Sequence, residues 1–179
     1  MATSIEFIHE YRLSDGELVA LASLLDECFP DTFEGRSYFK QLPHARLILR
    51  MDGAIVGQLG LDFRMVRAGA AVVPVFGIID LCVASSERQR GHGTMLLNEA
   101  ERIAAGSRAQ FMLAMADCHD IYARLGYAPV AAAATKWLAI EDRNSIIMIE
   151  RDLSDCFLVK PLGSAPWPEG GIDMLGYLY

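Results

Sequence analysis

The stretch Val72–Ala105 reads VVPVFGIIDLCVASSERQRGHGTMLLNEAERIAA. Its first part, Val72 to Val83, is an apolar and partly β-branched run, the pattern of a buried strand. A short polar turn, Ala84-Ser85-Ser86-Glu87, ends the run. Arg88-Gln89-Arg90-Gly91-His92-Gly93 follows, and from Thr94 to Ala105 apolar residues recur at helical spacing. A strand therefore feeds a glycine-rich loop that opens a helix. The first helical turn leaves its N–H groups without intrahelical acceptors, and the positive end of the helix dipole stands behind them. Such a place holds phosphate. Gly91 and Gly93 allow close backbone approach, and Arg88 and Arg90 bring positive charge to it.

Two familiar phosphate loops do not fit. No Gly-Lys-Ser/Thr follows, and the third position of the dinucleotide pattern G-x-G-x-x-G is Leu96. The spacing that fits is Arg88-x-x-Gly91-x-Gly93. It resembles the acyl-CoA pyrophosphate loop, Gln/Arg-x-x-Gly-x-Gly/Ala, of the GNAT superfamily of N-acetyltransferases. Further along, Ile121-Tyr122-Ala123-Arg124-Leu125-Gly126-Tyr127 resembles the superfamily's second signature: an aromatic or aliphatic residue, Tyr, three residues, Gly, an aromatic. An Asn often precedes that signature. Here the preceding residues are Asp117-Cys118-His119-Asp120, with no Asn among them.

The resemblance implies an α+β (α/β) GNAT fold. Its central sheet is mixed and mostly antiparallel, with about six to seven strands, a splayed parallel pair and helices on both faces. One acetyltransferase domain then covers 1–179. The cosubstrate implied is acetyl-CoA, its pyrophosphate held by Arg88, Gln89, Arg90, Gly91, His92, Gly93 and Thr94. Pantetheine pairs with the backbone of Leu81, Cys82 and Val83, which also offers an N–H to the thioester oxygen. A donor of that kind is worth roughly 3 kcal/mol in the transition state.

Tyr122 is the candidate general acid: a phenol of pKa about 10 stays protonated near neutrality and can donate to a departing thiolate. Asp80 sits inside the apolar run, where a carboxylate is costly unless it is partnered or faces a wet cleft. It reads either as the catalytic group that takes the amine proton or anchors an ammonium, or as a structural Asp at a strand bulge. Alternation would put Asp80 and Cys82 on one face, and a bulge would break that parity. Cys82 has no base at a recognisable spacing, so direct transfer in a ternary complex is preferred to a covalent route. His119 reads as a capping or surface residue before it reads as a second base.

The remaining chain fits this frame. Ile5 to Tyr11 alternates as a first strand. Ser14 and Glu17 form a capping box ahead of Leu18, Leu21, Leu24, Leu25 and Phe29. A shorter helical piece is expected at 37–42. Asp52-Gly53 joins two strands as a tight hairpin, and Ala68-Gly69 makes a second turn. Met95, Leu96, Leu97, Ala100, Ile103 and Ala104 form the buried stripe of the loop's helix. Strands are expected at Ala109–Ala116, Val130–Ile140 and Ser145–Arg151. The proline- and glycine-rich stretch 160–179 reads as an irregular tail that packs down. Its Trp167-Pro-Glu-Gly170-Gly-Ile-Asp173 resembles the tails of nodulation acyltransferases and, more loosely, of aminoglycoside 2'-N-acetyltransferases.

With 179 residues, 53% hydrophobic and 22% charged, the chain can bury a full core. A net charge of -7 argues against nucleic acid and suits a cationic acceptor. The first residues, Met1 to Glu6, lack a basic region followed by an apolar one, so no signal peptide is expected. No membrane span is expected either. Cys28, Cys82, Cys118 and Cys156 lack C-x-x-C spacing and read as reduced thiols of a cytoplasmic protein, and no metal site is read from them or the four histidines. The activity implied is transfer of an acetyl group to a primary amine of a small molecule, with an amino sugar or aminoglycoside as the leaning. Transfer of a longer acyl chain, a protein N-terminus as acceptor, and an acyl-CoA-binding module without turnover stay as alternatives. Superfamily members often pair through late strands or tails, which implies a homodimer.

Overall fold

The computed structural model describes residues 2–141 and 145–179. The elements are β1 (Thr3–His9), α1 (Asp15–Cys28), β2 (Ala45–Met51), β3 (Ala54–Ala68), β4 (Ala71–Val83), α2 (His92–Ala105), β5 (Phe111–Met115), α3 (Asp120–Arg124), β6 (Ala128–Pro129), β7 (Thr135–Glu141), β8 (Ser145–Arg151), β9 (Phe157–Pro161) and β10 (Ile172–Tyr177). They group into two compact units. One takes the chain up to Asp62 together with Ile79–Ile103; the other takes Phe63–Ile78 and Ala104–Tyr179.

In the first unit β1, β2 and β3 form an antiparallel ladder, Ile5 opposite Leu49 and Leu47 opposite Leu59. The turn between β2 and β3 needs positive φ at both central residues, and Asp52 (φ 46°) and Gly53 (φ 88°) supply it. The Ser14 hydroxyl accepts from the Glu17 N–H, and the Glu17 carboxylate accepts from the Ser14 N–H at 2.9 Å, so α1 starts with both halves of a capping box. Leu21, Leu24 and Leu25 bury its inner face, and Leu96, Leu97, Ala100 and Ala104 bury that of α2.

Arg46 is the polar centre of this unit. Its guanidinium is 1% exposed and bonds both oxygens of Glu10 (2.7 and 3.1 Å), the side-chain oxygen of Gln58 (3.0 Å) and the backbone oxygen of Ser37 (2.6 Å). Four of the planar fork's five N–H donors meet these acceptors, which is what lets a charge stay buried.

The second unit is built on the order β6-β9-β5-β4-β3-β10-β7-β8. Parallel pairing of β4 with β5 runs from Val75 opposite Phe111 to Gly77 opposite Leu113. β10 is parallel to β7, and the other registers in this unit are antiparallel. Val66, Val73, Val75, Phe111, Phe157 and Ile172 belong to its core, with Trp167 set edge-on to Phe111 at 5.0 Å.

The structure corrects four expectations. Residues 37–42 form no helix: Gly35 is left-handed, and the Arg36 side chain bonds the carbonyls of Phe33 (2.9 Å) and Phe39 (3.2 Å), which fixes a loop instead. Met95 lies off the buried stripe of α2, 41% exposed. The described residues form ten strands rather than six or seven, because Phe157–Pro161 pairs with β5 and Ala128–Pro129 pairs with it in turn. Lastly, 160–179 is not irregular throughout: Ile172–Tyr177 is a strand between β3 and β7. The glycines that argued against a strand serve close backbone approach. A Cβ at Gly69 (φ 54°) would lie 2.0 Å from the Glu169 carbonyl oxygen, and one at Gly170 2.7 Å from the Gly69 Cα.

Among the described residues no helix is long and apolar enough to cross a membrane.

Replacing Arg46 by Met strands a nearly buried Glu10 carboxylate. The expected loss is about 3–5 kcal/mol of unfolding free energy, read by urea denaturation. A loss below 1 kcal/mol would show that the cluster contributes little to stability.

Candidate active site

The glycine loop and the strand end that precedes it lie in the first unit. Asp80, inside β4, has φ 48°, so the strand carries a left-handed residue within it. The burial alternation switches phase along β4, from Val73 and Val75 to Ile78 and Cys82. Asp80 thus carries the kind of backbone that a bulge would need, and Cys82 packs with Leu24, Leu25 and Phe33. The Gln58 amide, whose oxygen accepts from Arg46, donates its N–H to the carbonyl of Asp80.

The Asp80 carboxylate itself makes no hydrogen bond with the described residues. Burial pushes its pKa up from 3.8 to about 6, and the nearby Arg46 charge opposes that rise.

After Asp80, the Ala84 N–H bonds Val56 O at 2.8 Å, and the Val83 carbonyl accepts from the Arg88 Nε at 3.1 Å and from the Cys28 thiol at 3.4 Å. Arg88 thus folds back onto the strand end. Arg90 pairs with Glu87 at 3.1 Å. Gln89 (φ 61°) and Gly91 (φ 82°) are both left-handed, and space around the missing Cβ of Gly91 is open. The loop residues Arg88–Gly91 are exposed, while His92 is buried. Neither ring nitrogen of His92 has a hydrogen-bond partner, and Oε2 of Glu87, the oxygen that pairs with Arg90, lies 3.8 Å from His92 Nε2. The unpartnered ring nitrogens of His92, an open cradle at Gly91 and the first-turn N–H groups of α2 (His92, Gly93, Thr94) together fit a polyphosphate.

Also in this unit, a cavity of about 590 Å³ lies along α1 and the β2–β3 hairpin, lined by Ser14, Glu17, Leu24, Glu27, Arg50 and Ala84 among others. It contains none of the catalytic or cofactor-binding residues expected from the sequence. It reaches the loop only through Ala84 and Glu27, whose carboxylate accepts from the Ser85 N–H at 2.7 Å.

In the second unit Tyr122 is the middle residue of α3, 7% exposed, its ring edge-on to Tyr127 at 5.4 Å. Burial first, and the neighbouring Cys118 second, push its phenol up to about 12, so it holds its proton across the neutral range. Gly126 is left-handed (φ 86°), which explains the glycine of the second signature. His119 precedes α3, and its Nε2 bonds the Asp155 carbonyl at 2.8 Å, a contact that fits the capping-or-surface reading.

Sequence reasoning missed Gln58, Arg46 and Cys28. Arg46 had a signal, a charge inside the apolar run of β2. Gln58 and Cys28 had none, because their importance comes from partners distant in sequence.

A model of the acetyltransferase (GNAT) domain matches residues 11–130, and the chain belongs to that family. By that family it is an acyltransferase. No curated protein matches the sequence significantly. Among solved structures, the chain is similar to the GNAT family N-acetyltransferase YhbS from Escherichia coli in complex with CoA (TM-score 0.67, 15% identity, 96% of this chain and 89% of that one). It is also similar to Eis1 from Mycobacterium abscessus (0.62, 19%, 74% and 33%) and to an acyl-CoA N-acyltransferase from Pseudomonas aeruginosa (0.58, 17%, 89% and 99%). At these identities the likeness speaks for the fold.

The raised Asp80 pKa has a sign that can be checked. The folded state holds this proton more tightly than the unfolded chain, so the contribution is full below pH 3.8 and is lost as pH rises through about 6. Asp80→Asn is therefore expected to exceed the unsubstituted protein in stability at pH 7.5, by roughly 1–3 kcal/mol, with the gap closing toward pH 4.5. Denaturant titrations at both values read it, and a gap independent of pH would place the cause elsewhere.

Proposed function

We propose that the chain, acting over 1–179 as one acetyltransferase domain, moves an acetyl group from acetyl-CoA to the primary amine of a small molecule by direct transfer. The observation that carries this reading is Asp80: a half-buried carboxylate, lifted to about 6, in the strand segment that runs directly into Leu81–Val83. A base titrating there is mostly ionised at neutral pH yet still basic enough to accept a proton.

When bound, acetyl-CoA supplies the activated acyl group. The first-turn N–H groups of α2 and the open cradle at Gly91 suit its diphosphate, with His92, Gln89 and Thr94 around it and the Arg88 and Arg90 charges nearby. The backbone of Leu81, Cys82 and Val83 suits the pantetheine arm and offers an N–H toward the thioester oxygen. Asp80 takes a proton from the acceptor's ammonium, directly or through water, so that the neutral amine can attack. Tyr122 holds a proton for the leaving sulfur. That role rests on its place in the second signature and on a phenol that stays protonated.

The acceptor is a cationic small molecule, with an amino sugar or aminoglycoside favoured by the chain's net charge of -7 and by the wording of its tail. Four cysteines, all free, suit a reducing cytoplasm.

Thiol release from acetyl-CoA against separate panels of amino sugars, polyamines, amino acids and short peptides selects the acceptor. With that acceptor, kcat/KM is expected to rise with pH through about 6 and to lose this limb in Asp80→Asn, at a cost of about 100-fold or more. Tyr122→Phe is expected to lower kcat by a similar factor while the KM for acetyl-CoA holds. An unchanged kcat in both variants overturns the acid–base assignment. Absence of release with every amine, together with unchanged melting on addition of acetyl-CoA, overturns the reading itself.

A further inference from the structure

Two of the four cysteines meet inside the first unit. Cys28 is the last residue of α1 and half-buried; Cys82 is buried in β4. Cys28 packs on the cluster that contains Cys82, Leu24, Leu25 and Phe33, and its thiol donates to the carbonyl of Val83, the residue next to Cys82, at 3.4 Å. The Arg88 guanidinium lies beside Cys28 and binds the same Val83 carbonyl that Cys28 does. A thiol pair with one member near solvent and next to a guanidinium is the arrangement of an attacking and a resolving cysteine.

The ionisation preferences run in opposite directions. The neighbouring Cys82 thiol lowers the Cys28 pKa well below that of a free thiol, against partial burial and with help from Arg88. The same neighbour contact, and burial, push Cys82 up, so it stays a thiol. The other two cysteines lack this setting. Cys156 is pushed up by burial and by Asp117 and Asp155, and Cys118 is exposed on the loop before α3.

We infer that Cys28 is a redox-modification site for hydroperoxides, with Cys82 as its resolving partner. The Cys28 thiolate attacks the peroxide O–O bond, becoming a sulfenic acid as the sulfur is oxidised and the peroxide is reduced to hydroxide. The Cys82 sulfur then displaces the sulfenic oxygen, which leaves as water with the Cys82 proton, and a Cys28–Cys82 disulfide forms. A dithiol reverses the step. The bond ties the end of α1 to the strand end before the glycine loop. The inference rests on the thiols alone and stands or falls separately from acetyl transfer.

The test exposes the fully reduced chain to hydrogen peroxide at pH 7, blocks remaining thiols, and maps peptides by mass. The expected product is a Cys28–Cys82 linked peptide pair, two hydrogens lighter, with Cys118 and Cys156 alkylated and full recovery by dithiothreitol. Cys28→Ser is expected to slow peroxide consumption about tenfold, since an ordinary thiol is only a few per cent thiolate at this pH. In Cys82→Ser the sulfenic acid on Cys28 is expected to persist and to be trapped by dimedone, which keeps the inference testable if Cys28→Ser does not fold. Oxidation that falls first on Cys118 or Cys156, or Cys28 driven to sulfinic acid while Cys82 stays free, overturns it.

Discussion

The bond from the Gln58 amide to the Asp80 carbonyl governs the first unit's functional edge. A non-glycine residue with left-handed φ costs of order 1–2 kcal/mol, and it persists only where its surroundings hold it. Here the hold can be followed backward: Gln58 is oriented by Arg46, and Arg46 by both oxygens of Glu10. Three side chains from three places in the sequence fix one peptide carbonyl. Past Asp80 the strand turns Cys82 inward and runs to the Val83 carbonyl, where Arg88 and Cys28 converge. Charge is buried at Arg46 so that a charge can be perturbed at Asp80.

The order of elements through α3 was legible because each one carries its own local signature. The capping box at Ser14 and Glu17, the Asp52-Gly53 turn, the glycine loop and the Tyr122 to Tyr127 motif are short-range statements, and the structure places them where their chemistry asks. Asp80 stood out as a polar residue in an apolar run. Its backbone sign could not be read, because it depends on Gln58, 22 residues away, and on a buried arginine neither motif includes.

The later strands were harder for a different reason. Phe157–Pro161 ends in a proline at a strand edge, and Ile172–Tyr177 follows two glycines, so both carry the punctuation of a loop. Their pairing comes from the partner strands. Pro161 sits opposite Phe111, and Ile172 slots against Ala68 on one side and Thr135 on the other. Composition marks where a backbone is allowed to come close, and only the fold says to what. Trp167 was the readable clue, an indole too large to leave in solvent, and it closes over Phe111 and Phe157.

The left-handed backbone at Asp80 also has a consequence in the genetic code. Of the residues that tolerate such a backbone, Asn and Gly are the most favoured. Both are reached from either Asp codon by changing a single base. Most other single-base changes at that codon install a Cβ-bearing residue that must accept positive φ without a short polar side chain to support it. The shortest mutational routes away from this carboxylate therefore keep the strand intact, so a lineage can shed the charge at position 80 and retain the architecture around it.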